Sequence, residues 1–190
     1  MTEELNRKEA LKKQFPLLLM LSIIGLVSLL IGLGVSYLRY QDNPEPLPKE
    51  VYQNFINAPW NDAQGQAIDT ASWKNKILVV NFWASWCPPC VEEMPLISQL
   101  SEAADPQKVV FIGIGIDSPS NIREFLSKTP VPYPIVVGGI EGSQWGKQLG
   151  NTQGALPYTV ILDSSGNKVF SKLGKITEDE INKTILSFKK

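Results

Sequence analysis

The most pronounced pattern in the chain is an unbroken apolar stretch close to its start. From Phe15 to Leu38 the sequence FPLLLMLSIIGLVSLLIGLGVSYL contains no charged side chain. A helix of this length extends about 36 Å at about 1.5 Å per residue, which is enough to cross a hydrocarbon core of about 30 Å. The stretch is also longer than the apolar region of a cleaved signal peptide, roughly 7–15 residues. We therefore expect a transmembrane anchor at 15–38, with a cleaved signal peptide as the alternative.

Two shorter apolar runs follow in the middle of the chain. ILVVNFW (Ile77–Trp83) and VVFIGIGI (Val109–Ile116) are continuous and rich in β-branched residues. This pattern is typical of strands that are buried on both faces of a sheet. Between them, apolar residues at helical spacing predict a helix over 91–104, and Pro95 should kink it.

The second half of the chain predicts further short elements. Ser118 and Pro119 form a typical helix start, and Pro130 should end that helix. Thr177 and Glu180 have the spacing of a capping box. The remaining expected elements are a hairpin around Gly65 between Trp60 and Trp73, a strand at 133–137, a helix at 143–149, a hairpin over 157–174, and a terminal helix whose Ile181, Ile185 and Phe188 face the core. This order predicts an α/β fold with a central sheet of mixed strand directions.

The charges around the apolar stretch predict its orientation. More basic residues precede the stretch than follow it, so the positive-inside rule places the N-terminus in the cytoplasm and exports the rest. QDNPEPLPKE (41–50) is rich in proline and indicates an extended spacer. The predicted organisation is a cytoplasmic segment at 1–14, the membrane helix at 15–38, a linker at 39–50 and one exported domain at 51–190.

The composition excludes several classes of function. The chain has 190 residues, a formal net charge of −1, no histidine and two cysteines. A polybasic surface for nucleic acid is therefore not indicated. A Cys–His pair, a Ser–His triad and a His-ligated metal or haem are excluded. Two cysteines are too few for a small scaffold held by disulfides.

Both cysteines lie in one motif, WCPPC, at Cys87 and Cys90. A structural disulfide between them would close a very small loop and would stabilise the fold weakly. A zinc site needs four ligands, and no second cysteine pair exists. Copper transfer through two thiolates is the third alternative, although no histidine is available as a further ligand. Redox catalysis fits best, because a Cys-x-x-Cys between a strand and a helix places Cys87 at a helix N-terminus, as the nucleophile, and Cys90 one turn later, where it can resolve a mixed disulfide.

Several motifs together make the chain similar to a known family. VVNFWASWCPPC (79–90), EEMP (92–95) and GALPYTVILD (154–163) resemble the membrane-anchored TlpA/ResA-like thiol–disulfide oxidoreductases, and CcmG-type cytochrome c maturation proteins are near relatives. The resemblance covers about 50–188. It implies a thioredoxin-like fold with a central αβ insertion at 118–137. It also implies a cis peptide at Pro157 beside the disulfide, and no cofactor other than the Cys87–Cys90 disulfide.

The resemblance also assigns candidate substrate-binding residues. Trp86 is expected to be an exposed aromatic platform for a protein partner. Leu156 and Pro157 occupy the position at which the family's backbone pairs with the client peptide. Leu156 is a departure, because relatives often have Thr or Val there, and this side chain should tune the choice of partner.

A second departure concerns the buried acid that thioredoxins use. Asn81 stands at the position of that Asp, and an amide cannot accept a proton in its place. Glu93 is the nearest candidate for a general base toward Cys90. The alternative for Glu93 is a solvated acid that only stabilises the N-terminus of its helix.

The two prolines between the cysteines predict the direction of the reaction. Pro88 and Pro89 bring no N–H to the space around the Cys87 thiolate, which predicts a less stabilised thiolate and a more reducing couple. We therefore expect a protein-disulfide reductase in the bacterial inner membrane, acting on exported clients such as apocytochrome c. Its electrons would come from a membrane thiol carrier of the DsbD/CcdA kind. The alternative is a copper-delivery or thiol-maintenance factor for oxidase assembly that uses the same cysteines.

Overall fold

A computed structural model describes residues 23–34 and 47–188. The chain divides into two compact units, Met1–Pro44 and Glu45–Lys190. In the first unit, residues 23–34 form helix α1, and its large apolar side chains are exposed. Within the described residues, no helix combines the length and the apolar character that crossing a membrane requires. The flanks of the predicted span, the segment at 1–14 and most of the predicted linker lie outside the described residues.

The second unit is built on a five-stranded sheet with the order β3-β2-β1-β4-β5. Neighbouring strands β1, β2 and β3 run parallel, whereas β4 is antiparallel to both β1 and β5. Strand directions are therefore mixed, as the sequence predicts. The strands are β1 (Ile77–Trp83), β2 (Val109–Gly115), β3 (Ile135–Val137), β4 (Tyr158–Leu162) and β5 (Lys168–Leu173).

The helices have the end signals that the sequence predicts. Ser118 accepts a hydrogen bond from the Asn121 amide at the start of one helix. Thr177 and Glu180 form a complete capping box at the start of another. The helices of this unit are α2 (Lys49–Asn57), α3 (Pro88–Ala103), α4 (Pro119–Lys128), α5 (Gly139–Gln148) and α6 (Glu178–Ser187), with a short 3-10 helix at Thr70–Trp73.

Two helices and one side chain differ from the prediction. Helix α3 begins at Pro88 and not at residue 91, because both prolines occupy the first helical positions, where no N–H is needed. It continues through Pro95 to Ala103. Helix α5 also begins earlier, at Gly139. Phe188 does not face the core: it follows the last residue of α6 and is 41 % exposed.

The region before β1 differs more from the sequence prediction than the helices do. The predicted hairpin around Gly65 is reduced to a single antiparallel bridge between Asn61 and Ala67. Gly65 has a φ of 80°, which explains a glycine at this tight turn. Helix α2 lies where the prediction has the end of the linker, and Leu47 is already buried. The folded unit therefore includes residues 47–50, which the prediction assigns to the spacer.

The sheet separates two hydrophobic cores. Alternate residues of a strand point to opposite faces, so β1 contributes to both. The disulfide core lies against α3, α4 and α6; it includes Val79, Trp83, Cys87, Cys90, Met94, Ile97, Ile122, Tyr133, Ile181 and Ile185. The aromatic core lies against α2 and α5; it includes Tyr52, Phe55, Trp60, Trp73, Phe82, Leu149 and Tyr158, with Trp145 packed at its margin.

Candidate active site

The cysteine pair lies at the junction of β1 and α3. Cys87 is the N-cap residue of α3, and its extended backbone (φ −101°, ψ 98°) redirects the chain from strand to helix. Pro88 and Pro89 are the first helical residues. The Cys87 carbonyl accepts hydrogen bonds from the amides of Cys90, at 3.0 Å, and Val91, at 3.2 Å. The Cys90 amide, the only donor that follows Cys87 within the motif, is therefore directed to a carbonyl oxygen.

The two sulfurs form a disulfide with an S–S distance of 2.06 Å. Both cysteines are buried: Cys87 is 5 % exposed and Cys90 is fully enclosed, at 0 %. Trp86, directly before Cys87, is 65 % exposed. A large aromatic side chain in solvent beside a nearly buried disulfide is a surface that a partner can cover.

Leu156 and Pro157 come to the same end of the sheet through strand pairing. Phe82 near the end of β1 pairs with Tyr158 at the start of β4. The residues before β4 therefore lie beside the residues after β1. The Leu156–Pro157 peptide is cis, as the resemblance implies. Leu156 is half-buried and packs against both cores.

Glu93 is the buried acid of the site. It is 2 % exposed, so the alternative of a solvated acid is wrong. Its Oε1 accepts a hydrogen bond from Asn81 Nδ2 at 2.8 Å, and its Oε2 accepts one from the Ile176 amide at 3.0 Å. Burial raises the pKa of Glu93, and the two hydrogen bonds and the charges of Lys175 and Lys172 offset only part of this rise.

The position of Glu93 fits a proton acceptor for Cys90. The two residues are three apart on α3, and side chains at this spacing are neighbours on one helix face. An acid whose pKa is raised by burial can take up and release a proton closer to neutral pH than an exposed one. The structure thus brings Cys87, Cys90 and Glu93 together on the first two turns of one helix.

Asn81 acts as a hydrogen-bond donor to this acid. Its Nδ2 donates to Glu93 and also to Thr159 Oγ1, at 2.9 Å. The neutral amide therefore orients the carboxylate and adds no second negative charge. The sequence did not reveal Thr159 or the Ile176 amide, because both lie far along the chain from Glu93.

A second polar contact fixes the loop before the disulfide. Asp117, which follows β2, accepts hydrogen bonds from the Ser85 amide and hydroxyl. It also accepts from Asn121 and from the Ser118 amide. Burial raises the pKa of Asp117, but these hydrogen bonds outweigh it and the net pKa is lowered. In the sequence, the only sign of this contact is that Asp117 follows a predicted buried strand closely.

Comparison with known proteins assigns the family. Residues 52–185, more than two thirds of the chain, match the Redoxin family. The chain belongs to the Redoxin family. Among solved structures, the thioredoxin-related protein from Neisseria meningitidis serogroup B has a TM-score of 0.60 and 32 % identity, covering 67 % of this chain and 96 % of that one.

Two curated relatives of this Redoxin protein are both named thiol-disulfide oxidoreductase ResA. The thiol-disulfide oxidoreductase ResA of Geobacillus thermodenitrificans is 26 % identical over 132 residues, covering 68 % of this chain and 72 % of ResA. The ResA of Halalkalibacterium halodurans is also 26 % identical, over 85 % of this chain and 88 % of its own length. Together with the thioredoxin-like sheet and the disulfide at the end of its central strand, these matches show a TlpA/ResA-like thiol–disulfide oxidoreductase.

Proposed function

We propose that this oxidoreductase is a membrane-anchored reductase of protein disulfides outside the cytoplasm. The observation that carries the direction is the environment of Cys87. Pro88 and Pro89 provide no amide, and the Cys90 amide donates to the Cys87 carbonyl. Amides at a helix N-terminus stabilise a thiolate. With these donors withdrawn, the Cys87 thiolate is a better electron donor and the couple is more reducing.

The reduction potential tests the direction. We expect the full-length protein, equilibrated with glutathione or dithiothreitol buffers, to have a potential near that of thioredoxin, about −270 mV. A value near that of the strong oxidant DsbA, about −120 mV, would overturn the reductase proposal. Substituting Pro88 by Ala restores one amide and should move the potential toward less negative values.

The clients are proposed to be proteins. Trp86 is exposed beside Cys87, and Leu156 lies half-buried at the same end of the sheet. A large exposed aromatic side chain directly beside the disulfide offers a contact surface that suits a polypeptide better than a small thiol. Exported proteins such as apocytochrome c are the proposed clients, and a membrane thiol carrier of the DsbD/CcdA kind is the proposed donor.

Trapping of mixed disulfides tests for both the client proteins and the electron donor. A Cys90→Ser variant cannot resolve the mixed disulfide on Cys87 and should accumulate covalent complexes, whereas the matched Cys87→Ser variant should accumulate none. The masses of the captured proteins then name the clients. If both variants capture the same proteins, or if neither captures any, the proposal of protein clients fails.

The membrane anchor and the extracytoplasmic location are proposed from the N-terminal segment. The apolar stretch at 15–38 has exposed apolar side chains in its helical part, 23–34. Fractionation should recover the chain with membranes, and a protease added outside intact cells stripped of their outer layers should digest 51–190. Protection of that domain in sealed cells would reverse the proposed orientation.

Copper delivery is less supported by the site. In the part of the chain that the structure describes, no three Cys, Asp or Glu side chains cluster so that they could hold a metal ion. The two cysteine sulfurs would then be the main ligands. Copper that binds the reduced protein so tightly that it stops disulfide exchange would favour that alternative.

A further inference from the structure

The two most exposed large apolar side chains among the described residues are Ile140, at 83 %, and Trp86, at 65 %. Single exposed apolar residues are common on protein surfaces, whereas neighbouring ones that border a groove mark an interaction site. Trp86 directly precedes Cys87. The loops at this end of the sheet show that Ile140 belongs to the same surface.

The loops that follow β1, β2 and β3 lie side by side at the disulfide end of the sheet. These strands are parallel neighbours in the order β3-β2-β1, so their last residues reach the same end. Backbone hydrogen bonds continue past the strands: the Ile116 amide donates to the Trp83 carbonyl at 2.7 Å, and the Gly138 amide donates to the Gly115 carbonyl at 2.9 Å. The loop after β3 is thereby attached to the cysteine loop through the loop after β2.

A groove of about 400 Å³ lies between the loops that follow β2 and β3. Asp117 lines it and accepts hydrogen bonds from the Ser85 amide and hydroxyl, which belong to the cysteine loop. The apolar side chains that line it are those of Ile116, Pro119, Val137 and Ile140. This apolar groove is therefore continuous with the surface around the disulfide.

Close packing fixes the backbone that presents Ile140. A Cβ atom at Gly138 would lie 2.9 Å from the Gly142 Cα atom and 2.7 Å from Ile114 Cγ2. A Cβ atom at Gly142 would lie 2.7 Å from Ile116 Cδ1. The first turn of α5 thus packs directly against the end of β2, with space for glycine alone at both positions. Ile140 extends into solvent from this packed turn, so it is already in place to contact a partner, which lowers the cost of ordering it on binding.

The apolar groove is within reach of a polypeptide that is bound at the disulfide. Neighbouring strands are about 4.8 Å apart, so the end of β3 is about 10 Å from the end of β1. An extended polypeptide covers this distance in about three residues. A client whose cysteine is joined to Cys87, and whose chain extends toward β3, therefore places a residue about three positions away at the groove.

We propose that the apolar groove binds an apolar side chain of the client polypeptide, about three residues from the client cysteine, and that Ile140 selects for it. The position of the groove determines its occupant, because any client must contact Cys87 and the groove continues the surface that Trp86 begins. Binding removes Ile140 and the client side chain from water together, which is favourable. The inference rests on the proposed reduction of protein disulfides and adds a client preference to it.

Reduction of two synthetic substrates by the full-length protein tests this preference. Each substrate is a symmetric disulfide of a short peptide with one cysteine, so attack on either sulfur is equivalent. The residues three positions before and after the cysteine are leucine in one substrate and serine in the other. The protein is reduced beforehand and mixed with each substrate in a single turnover. We expect its rate constant to be about tenfold higher for the leucine substrate, the low end of what an apolar pocket contributes to discrimination.

Three variants relate this ratio of rate constants to the groove. Ile140→Ser should bring the ratio close to one, and Ile140→Leu, which keeps an apolar side chain, should retain it. Leu186→Ser is the matched control, because Leu186 is 59 % exposed and its neighbour Ile185 lies near Ile77 at the opposite end of the sheet. Its ratio should equal that of the unchanged protein. Equal ratios in Ile140→Ser and Leu186→Ser would overturn the inference.

A trapped complex locates the contact. In Cys90→Ser, Cys87 can be joined to the leucine peptide or to glutathione in a mixed disulfide that is not resolved. Relative to the glutathione complex, the peptide complex should shift the backbone amide resonances of Gly139 and Ile140 in nuclear magnetic resonance spectra. Shifts confined to the cysteine loop and Pro157 would place the client elsewhere and overturn the inference.

The remaining outcomes separate this inference from the proposed function. If the unchanged protein reduces neither peptide, the proposed function fails and the inference fails with it. If it reduces both peptides with equal rate constants, the reductase function stands and the groove inference alone fails. If Ile140→Ser dissociates a dimer of the unchanged protein and leaves the ratio as it was, the groove is an interface between copies, which also overturns the inference.

Discussion

The disulfide core and the aromatic core lie on opposite faces of the same strands but differ in the hydrogen bonding of their buried polar groups. In the aromatic core Trp60 Nε1 donates to the Phe55 carbonyl at 2.8 Å, and Tyr158 donates to the Leu149 carbonyl. Its rings pack at centroid distances of 5.5 Å (Phe55–Trp60) and 6.1 Å (Phe55–Trp73). The disulfide core instead holds a buried acid and three buried polar atoms that lack a hydrogen-bond partner within the described structure: Asn81 Oδ1, Trp83 Nε1 and Tyr133 Oη. Polar groups on the aromatic face are thus paired with backbone carbonyls, whereas on the disulfide face a buried acid and unpaired polar atoms lie in the core beside the cysteines.

Phe55→Ala should have the largest effect on stability. Phe55 is fully buried and contacts three aromatic rings, so its loss leaves a cavity in the aromatic core. We expect the free energy of unfolding in urea to fall by about 3–5 kcal/mol. The rate of disulfide exchange should stay unchanged in conditions where the variant is folded. Phe188→Ala, at an exposed position, is the control and should cost far less. A slowed exchange in folded Phe55→Ala would show that the two cores are not separate in function.

Glu93→Gln should have the next largest effect, chiefly on the rate of disulfide exchange. Gln keeps the shape and an acceptor but cannot take up a proton. We expect resolution of the mixed disulfide to slow by about 10²-fold, the lower end of what a general base supplies. Stopped-flow reduction of a fluorescent disulfide measures this rate. Glu92→Gln, at the exposed neighbouring position, should have little effect; equal rates for the two variants would remove Glu93 from the mechanism.

The same variant should change how stability depends on pH. The folded pKa of Glu93 is raised above its ordinary value of 4.5. A raised pKa means that its contribution is fully present below that ordinary value and is lost as the pH rises through the folded pKa. Glu93→Gln should therefore gain stability relative to the unchanged protein over this pH interval. Urea unfolding at several pH values measures the free energy of unfolding of both proteins. A difference between them that is constant with pH would contradict the burial of a titrating acid.

Thr177→Ala should have the smallest effect. Its hydroxyl accepts from the Glu180 amide, and Glu180 accepts from the Thr177 amide at 2.8 Å. Loss of this N-cap should cost about 1 kcal/mol. Thermal unfolding detects this change, and the exposed Thr152→Ala serves as the matched control. A shift equal to that control would mean that the capping box contributes nothing to α6.

The sequence predicted elements whose signals are local. The starts of α4 and α6 depend on Ser118 and Thr177, whose partners lie three residues away. Helix α2 was not predicted, because its apolar residues follow directly on a proline-rich segment that indicates a spacer. Phe188 has the helical spacing of a core residue, but α6 ends before it.

The burial of Glu93 needed information that no local pattern contains. Its partners, Asn81 and the Ile176 amide, are 12 and 83 residues away. Trp83 of β1 and Tyr133, which precedes β3, likewise approach each other across Gly113 of β2, a contact between residues 50 apart in the sequence. The cysteine pair could be predicted from the motif, whereas the polar groups around it are brought together by tertiary packing.

The hydrogen bond from the Ile176 amide to Glu93 makes this amide a natural reporter of the protonation state of Glu93. This amide lies two residues before the first residue of α6, and its partner is the carboxylate oxygen at 3.0 Å. When Glu93 gains a proton, the carboxyl becomes a weaker acceptor, and the amide resonance of Ile176 moves. The backbone amide signal of Ile176 in nuclear magnetic resonance spectra can therefore be followed through a redox cycle, without an added reporter group, to show when the buried acid carries its proton.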